Sequence, residues 1–153
     1  MRRRSLLAAF AGGGTAALAG CPTPPWSEDP RTIDGAAVTF RREHTEEFDP
    51  ADSRSLNAAE LRRDLDRDPP RLLIRGSVAG GVRECYRVSL VDAEHSAERL
   101  SIEVAVEKRP FVRACNDAGE FHPYEVAVAF REAPVPDRVV VRHGDETVLE
   151  ESV

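Results

Sequence analysis

Histidines, cysteines, carboxylates and glycines are the residues of this chain whose chemistry could be put to use, and their spacing decides how. The histidines stand at 44, 95, 122 and 143. No two share the close spacing that zinc sites use. His95 and His143 read as solvated residues at hairpin turns. A copper carrier needs two His, one Cys and usually a weak axial Met. Cys115 and His122 are plausibly spaced for that, but the only methionine is Met1. Asp64-x-Asp66-x-Asp68 begins like a calcium loop, yet Pro69-Pro70 replace the required Gly, and Arg75 stands where the bidentate Glu belongs. It reads as a charged helix end, and Asp49 and Asp52 add carboxylates without a pattern. Gly76, Gly80 and Gly81 (GSVAGG) lack the Lys-Ser/Thr ending and the following helix of a phosphate loop. They read as a flexible strand connection. There is no Gly-x-Ser-x-Gly elbow. The residues call for no metal and no cofactor, and no catalytic set emerges, so the chain reads as a non-enzyme.

One thiol has a different kind of partner. Met1-Arg2-Arg3-Arg4-Ser5 carries three positive charges, and the 14 residues from Leu6 to Ala19 are apolar or small. A membrane-spanning helix needs about 20 such residues. Charged start, short apolar middle and small end describe a signal peptide over residues 1–20. The run closes on Leu18-Ala19-Gly20-Cys21, which resembles the lipobox of secreted lipoproteins. That resemblance implies cleavage before Cys21 and lipid on its sulfur. Arg3-Arg4, followed by Ser5-Leu6-Leu7, resembles the twin-arginine export signal. Each buried methylene contributes about 0.8 kcal/mol, and a single chain holds only marginally. A lipoprotein therefore usually carries two long chains, and the mature protein would be tethered rather than embedded.

Without residues 1–20, 133 residues remain, and loss of the three leader arginines takes the formal charge from −6 to −9. That balance argues against nucleic acid as a partner. Lys108 is the only lysine. An acidic, Arg- and Ala-rich, lysine-poor chain behind such a leader resembles a secreted lipoprotein of a salt-loving archaeon. With Cys21 assigned to lipid, Cys85 and Cys115 form an even pair in an exported domain and read as one disulfide.

The elements that must position these residues are mostly strands. Residues 21–35 read as the lipidated cysteine and a Pro-rich linker, with Trp26 in it. Residues 36–153 read as the folded domain. Ala36, Val38 and Phe40 alternate with polar neighbours, as do Leu72 to Val78, Tyr86 to Leu90, Ile102 to Val106, Tyr124 to Phe130 and Val139 to Val141, with a last short piece at 147–151. Alternation of this kind means antiparallel sheets with one wet face. Gly144-Asp145 suits a tight hairpin. Asn57 and Glu60 have capping-box spacing, and Leu61 and Leu65 lie four apart, which predicts one short helix over 57–66, ended by Pro69-Pro70. The expected fold is a small antiparallel β-sandwich, immunoglobulin-like, with that single helix, and an open barrel is the alternative.

The order Cys85, Leu100 to Val106, Cys115, Tyr124 to Phe130, a proline pair and Val139-Val140-Val141-Arg142-His143 resembles a group of small lipoproteins of halophilic archaea. The resemblance covers the leader and roughly residues 72–148. It implies a β fold at the outer face of the cell membrane and no particular activity. The surface singled out for function is the bridged loop 109–122, where Lys108, Arg109 and Arg113 cluster on an otherwise acidic chain and His122 follows. The expectation is a lipid-anchored binding module contacting an envelope protein or a solute. A loop-borne hydrolase or a purely structural envelope protein are the alternatives.

Overall fold

A computed structural model describes residues 29–42 and 57–153. The leader, Cys21, Trp26, His44, Asp49 and Asp52 lie outside the described residues. Nine strands are present among those described: β1 (Asp29–Ile33), β2 (Ala36–Arg41), β3 (Ala58–Asp64), β4 (Arg71–Gly81), β5 (Tyr86–His95), β6 (Arg99–Lys108), β7 (Gly119–Phe130), β8 (Arg138–His143) and β9 (Glu146–Ser152). They form two packed sheets, one ordered β1-β2-β7-β4-β3 and the other β5-β6-β8-β9.

Period-two patterning builds this sandwich. Phe40, Leu72, Ile74, Tyr124, Val126 and Val128 point inward from the five-stranded sheet. Leu100, Ile102, Val104, Val139 and Val141 meet them from the other. Burying each such side chain contributes about 1.5–3 kcal/mol. The expected sandwich is present. Its sheets are antiparallel except for one pair, since β6 and β8 run parallel. This strand order differs from the ABED and CFG sheets of immunoglobulin constant domains.

Two expectations need correction. The short helix over 57–66 is instead β3, an edge strand paired antiparallel with β4, and no helix occurs among the described residues. Ala59 and Leu61 pack against the core from this strand, whereas Leu65 is exposed. Ten helix-prone residues make under three turns, which is marginal in water. Pairing along all of β3 outweighs that propensity. Second, the linker ends earlier than Gly35. Asp29–Ile33 pairs with β2 through a two-residue turn, in which Asp34 and Gly35 both have positive φ (44° and 83°). That is the Asp-Gly turn whose twist suits a hairpin.

The GSVAGG stretch also differs from a flexible connection: β4 runs unbroken through it to Gly81. Gly76 lies opposite Tyr124, and its missing side chain leaves room for the tyrosine ring and hydroxyl.

Polar contacts close both open sides between the sheets. On one side Arg31 donates to the Leu90 carbonyl at 3.0 Å. On the other, Arg63 donates to Glu151 at 2.8 Å and to the Ser152 carbonyl, and Asn57 donates to Glu146 at 2.7 Å. A charged row crosses the middle of the larger sheet. Glu125 on β7 stands opposite Arg41 on β2 and Arg75 on β4, at 3.5 and 2.9 Å. Arg75 and Glu125 are both buried.

Candidate functional site

At one end of the sandwich the chain crosses between sheets twice, through residues 82–85 and residues 109–118. A disulfide between Cys85 and Cys115 joins the two crossings. Hydrogen bonds reinforce the joint. The Arg109 amide donates to the Cys85 carbonyl at 2.6 Å, and its guanidinium Nε donates to the carbonyls of Arg83 and Tyr86 at 2.8 and 3.1 Å. Arg83 in turn donates to the Glu120 carboxylate from its amide and to the Phe121 carbonyl from its side chain.

From this fixed base the loop projects Phe111, whose surface is 99% exposed. Its φ is +66°, a left-handed conformation that a bulky side chain rarely adopts. Holding it there costs on the order of 1–3 kcal/mol, which the surrounding structure must supply. Lys108, Pro110 and Arg113 are exposed beside it. The chain thus expends conformational energy to present an aromatic ring to the outside, among cations, at a disulfide-held tip.

The disulfide's share can be measured. Closing a 30-residue loop stabilises by about 3.5 kcal/mol in the chain-entropy account. Cys85→Ser with Cys115→Ser is expected to lower unfolding free energy by about that amount in denaturant titration. Amide exchange in 109–118 should accelerate more than in β6 or β7. Uniform acceleration would mean that the bridge supports the whole domain and not this loop.

The structure redistributes the residues picked out from sequence. Lys108 and Arg113 are offered to solvent as expected. Arg109 is half-buried and serves as a brace. His122 is a correction: it sits on β7, only 4% exposed, with Nε2 2.7 Å from the Gly81 carbonyl. It ties β7 to the end of β4 and is not part of an open surface. The exposed Phe111 does not stand out in a sequence whose loop is marked by its charges. The signal was an aromatic residue between Pro110 and Arg113, in a loop without alternation.

His95 and His143 are corrections too, since both are buried rather than solvated. His143 belongs to a polar chain through the core. Asn57 uses its NH2 for Glu146, so its carbonyl oxygen faces His143 Nδ1 at 2.6 Å. Nδ1 therefore carries the proton and donates. Nε2 then accepts from the Tyr124 hydroxyl at 2.7 Å, which bridges the two sheets. Burial raises the Tyr124 pKa and lowers that of His143 to about 4. Tyr124 and His143 are both buried, and their hydrogen bond joins β7 of one sheet to β8 of the other. It acts as a clamp.

The clamp has a pH signature. Between about pH 6.5 and pH 4 the unfolded chain holds a proton on this histidine and the folded chain does not. Its stabilisation is complete above pH 6.5 and is lost as pH falls to about 4. The loss is up to about 3 kcal/mol. Unfolding free energy measured across this range should fall with acidification, and His143→Gln should flatten that part of the slope.

At the opposite end lies a cleft of about 530 Å³, lined by Thr32, Asp34, Glu94, His95, Ser96 and Arg99 among others. His95 Nε2 is committed to the Pro134 carbonyl at 2.9 Å, and its Nδ1 is buried without a partner. Ser96 Oγ is engaged with the Arg99 backbone. Acid, base and hydroxyl groups are near one another here, but among the described residues no hydrogen bond couples the histidine to a nucleophile. Among the described residues, no group of three or more His, Cys, Asp or Glu is arranged to hold a metal ion. Comparison with protein-family models, with characterised proteins and with solved structures found no match for this chain.

Proposed function

We propose that this chain is an exported lipoprotein, held on the outer face of the cell membrane through lipid on Cys21, whose sandwich is a binding module and not an enzyme. The salt-loving archaeal setting goes with this reading, through the acidic, lysine-poor composition. The single observation that carries the binding role is Phe111, wholly exposed in a left-handed conformation on a loop stapled by Cys85–Cys115. The disulfide supports an oxidising compartment, where such bonds persist. Rigid frames with functional loops at one end are how β-sandwiches bind.

Two experiments test it. Cys21→Ser is expected to release the protein from cells into the medium, and mass spectrometry of the native protein should find acyl chains on that sulfur. Retention without any added mass would sink the anchor. A photo-crosslinker at position 111, used in intact cells at high salt, should capture a contact that one at Ala97, in the turn at the far end, does not. Equal yields at both positions would remove the loop as a contact surface.

The second reading is an extracytoplasmic hydrolase working in the Asp34–His95–Arg99 cleft. Turnover of any ester or peptide substrate that is abolished by His95→Gln would favour it.

A further inference from the structure

We infer that the stapled loop docks onto the headgroup layer of the membrane that holds the protein, with Phe111 entering the interface and Lys108 and Arg113 meeting anionic lipid phosphates. This rests on the reading that Cys21 is lipidated.

Three observations on different links of the chain lead here. The first is covalent reach. Only eight peptide steps separate Cys21 from Asp29, the first residue of β1. Such a segment spans at most about 29 Å when fully extended. With its acyl chains in the bilayer, Cys21 would hold the sandwich close to the surface.

The second is direction. Asp29 lies opposite Phe40, and Phe40 opposite Val126, while Ile33 lies opposite Ala36, and Ala36 opposite Phe130. β7 starts at Gly119, beside the stapled loop. β1 therefore runs away from the stapled end, and the chain comes into the sheet from that side. Asp29 stands level with Val126, seven positions along β7 from Gly119, about 23 Å. A tether of about 29 Å is therefore long enough to reach past the stapled end and let the end that carries Phe111 face the membrane.

The third is chemistry. Residues 108–118 hold three cations, Lys108, Arg109 and Arg113, against one carboxylate, Asp117, on a chain of net charge −6. Glu84 and Glu107 flank the base of the loop. An exposed aromatic ring next to cations suits the boundary between acyl chains and phosphates. An acidic protein partner would suit the cations but would not need a lone ring standing fully clear of the surface. One ring and two charges bind weakly by themselves. Tethering makes the contact intramolecular, so weak binding suffices. In 1 M salt the Debye length is about 3 Å, so the cations act only in direct contact, while burial of the ring is undiminished.

The test uses the full chain carrying Cys21→Ser, so that no acyl group contributes, and Trp26→Phe, so that one tryptophan can be placed at will. Phe111→Trp in that background is mixed with phosphatidylglycerol vesicles bearing brominated acyl chains. Its emission is expected to fall roughly twofold at millimolar lipid, as for a ring at the interface. Ala97→Trp, at the opposite end, should stay bright. Lys108→Gln with Arg113→Gln should weaken binding to phosphatidylglycerol roughly fivefold per charge at low salt, and less in 1 M salt. Equal emission changes at 111 and 97, or none at either, overturns the docking whatever the state of Cys21. Exclusive crosslinking of position 111 to a protein in cells overturns it as well. Quenching at 111, found alongside an unmodified Cys21 in native protein, would leave the loop's affinity standing and remove the anchor.

Discussion

Gly76→Val is expected to leave little folded protein. Any side chain at 76 would overlap the Tyr124 ring and hydroxyl across the β4–β7 pair. The tyrosine has nowhere to retreat, because it is 1% exposed and its hydroxyl is held by His143 from the other sheet. Overpacking a core usually costs about 1–3 kcal/mol. Displacing the buried ring and orphaning the His143 nitrogen adds about 1–3 kcal/mol more. A combined loss of about 4 kcal/mol consumes much of the 5–15 kcal/mol typical of a domain. Circular dichroism and denaturant titration would read it directly. Gly76→Ala should be milder, and Tyr124→Leu added to it should restore part of the stability by vacating the space. If Gly76→Val unfolds within about 1 kcal/mol of the parent, the close approach of strand and ring is not a constraint.

The second large effect falls on Glu125. Its carboxylate is shared between Arg75 at 2.9 Å and Arg41 at 3.5 Å, in the middle strand of the larger sheet. Glu125→Ala removes the carboxylate and leaves the buried Arg75 guanidinium facing the gap. Breaking a buried pair from one side costs about 3–5 kcal/mol, because the desolvated Arg75 charge loses its 2.9 Å contact with the carboxylate. Replacing both residues, Arg75→Met with Glu125→Leu, should recover most of the loss, since apolar groups of similar volume need no partner. The informative quantity is the difference between single and double variants. A single variant as stable as the double would mean that water already screens the row.

How much of this was legible in the residues varies with the kind of signal. Strands β2 and β4 to β8 were readable because each alternates apolar inward positions with outward ones, β9 was legible only as a short last piece, and Gly144-Asp145 marked the last hairpin. β3 was not, because Ala58, Ala59, Glu60, Leu61 and the two arginines after it are strong helix formers, and nothing local shows that β4 offers them an edge. Asn57 resembled a helix cap for the same reason, and its partners are instead His143 and Glu146, more than eighty residues away in sequence. β1 was hidden by prolines, although Asp34-Gly35 before an alternating run is a hairpin signal that outweighs them. Cys85 and Cys115 were paired correctly from compartment and count. The histidines misled. A hairpin-flanking His is usually wet, and only the assembled sandwich shows that His143 faces Tyr124. Phe111 could be named as aromatic from sequence, but its exposure depends on a backbone angle that no residue pattern announces.

The place of β7 in its sheet governs how the domain can be made. It is the seventh strand in chain order, yet it is the partner of both β2 and β4 and stands at the centre. As the chain leaves the ribosome, the hairpins β1–β2 and β3–β4 must therefore wait, each with an unpaired edge, until residue 119 and beyond have been synthesised. β6 waits longer still for its parallel neighbour β8. Assembly dominated by such distant partners is slow, in the millisecond-to-second range. A nascent chain stalled before Gly119 would present three adhesive ribbons, β1–β2, β3–β4 and β5–β6, each still lacking the strand that covers its open edge.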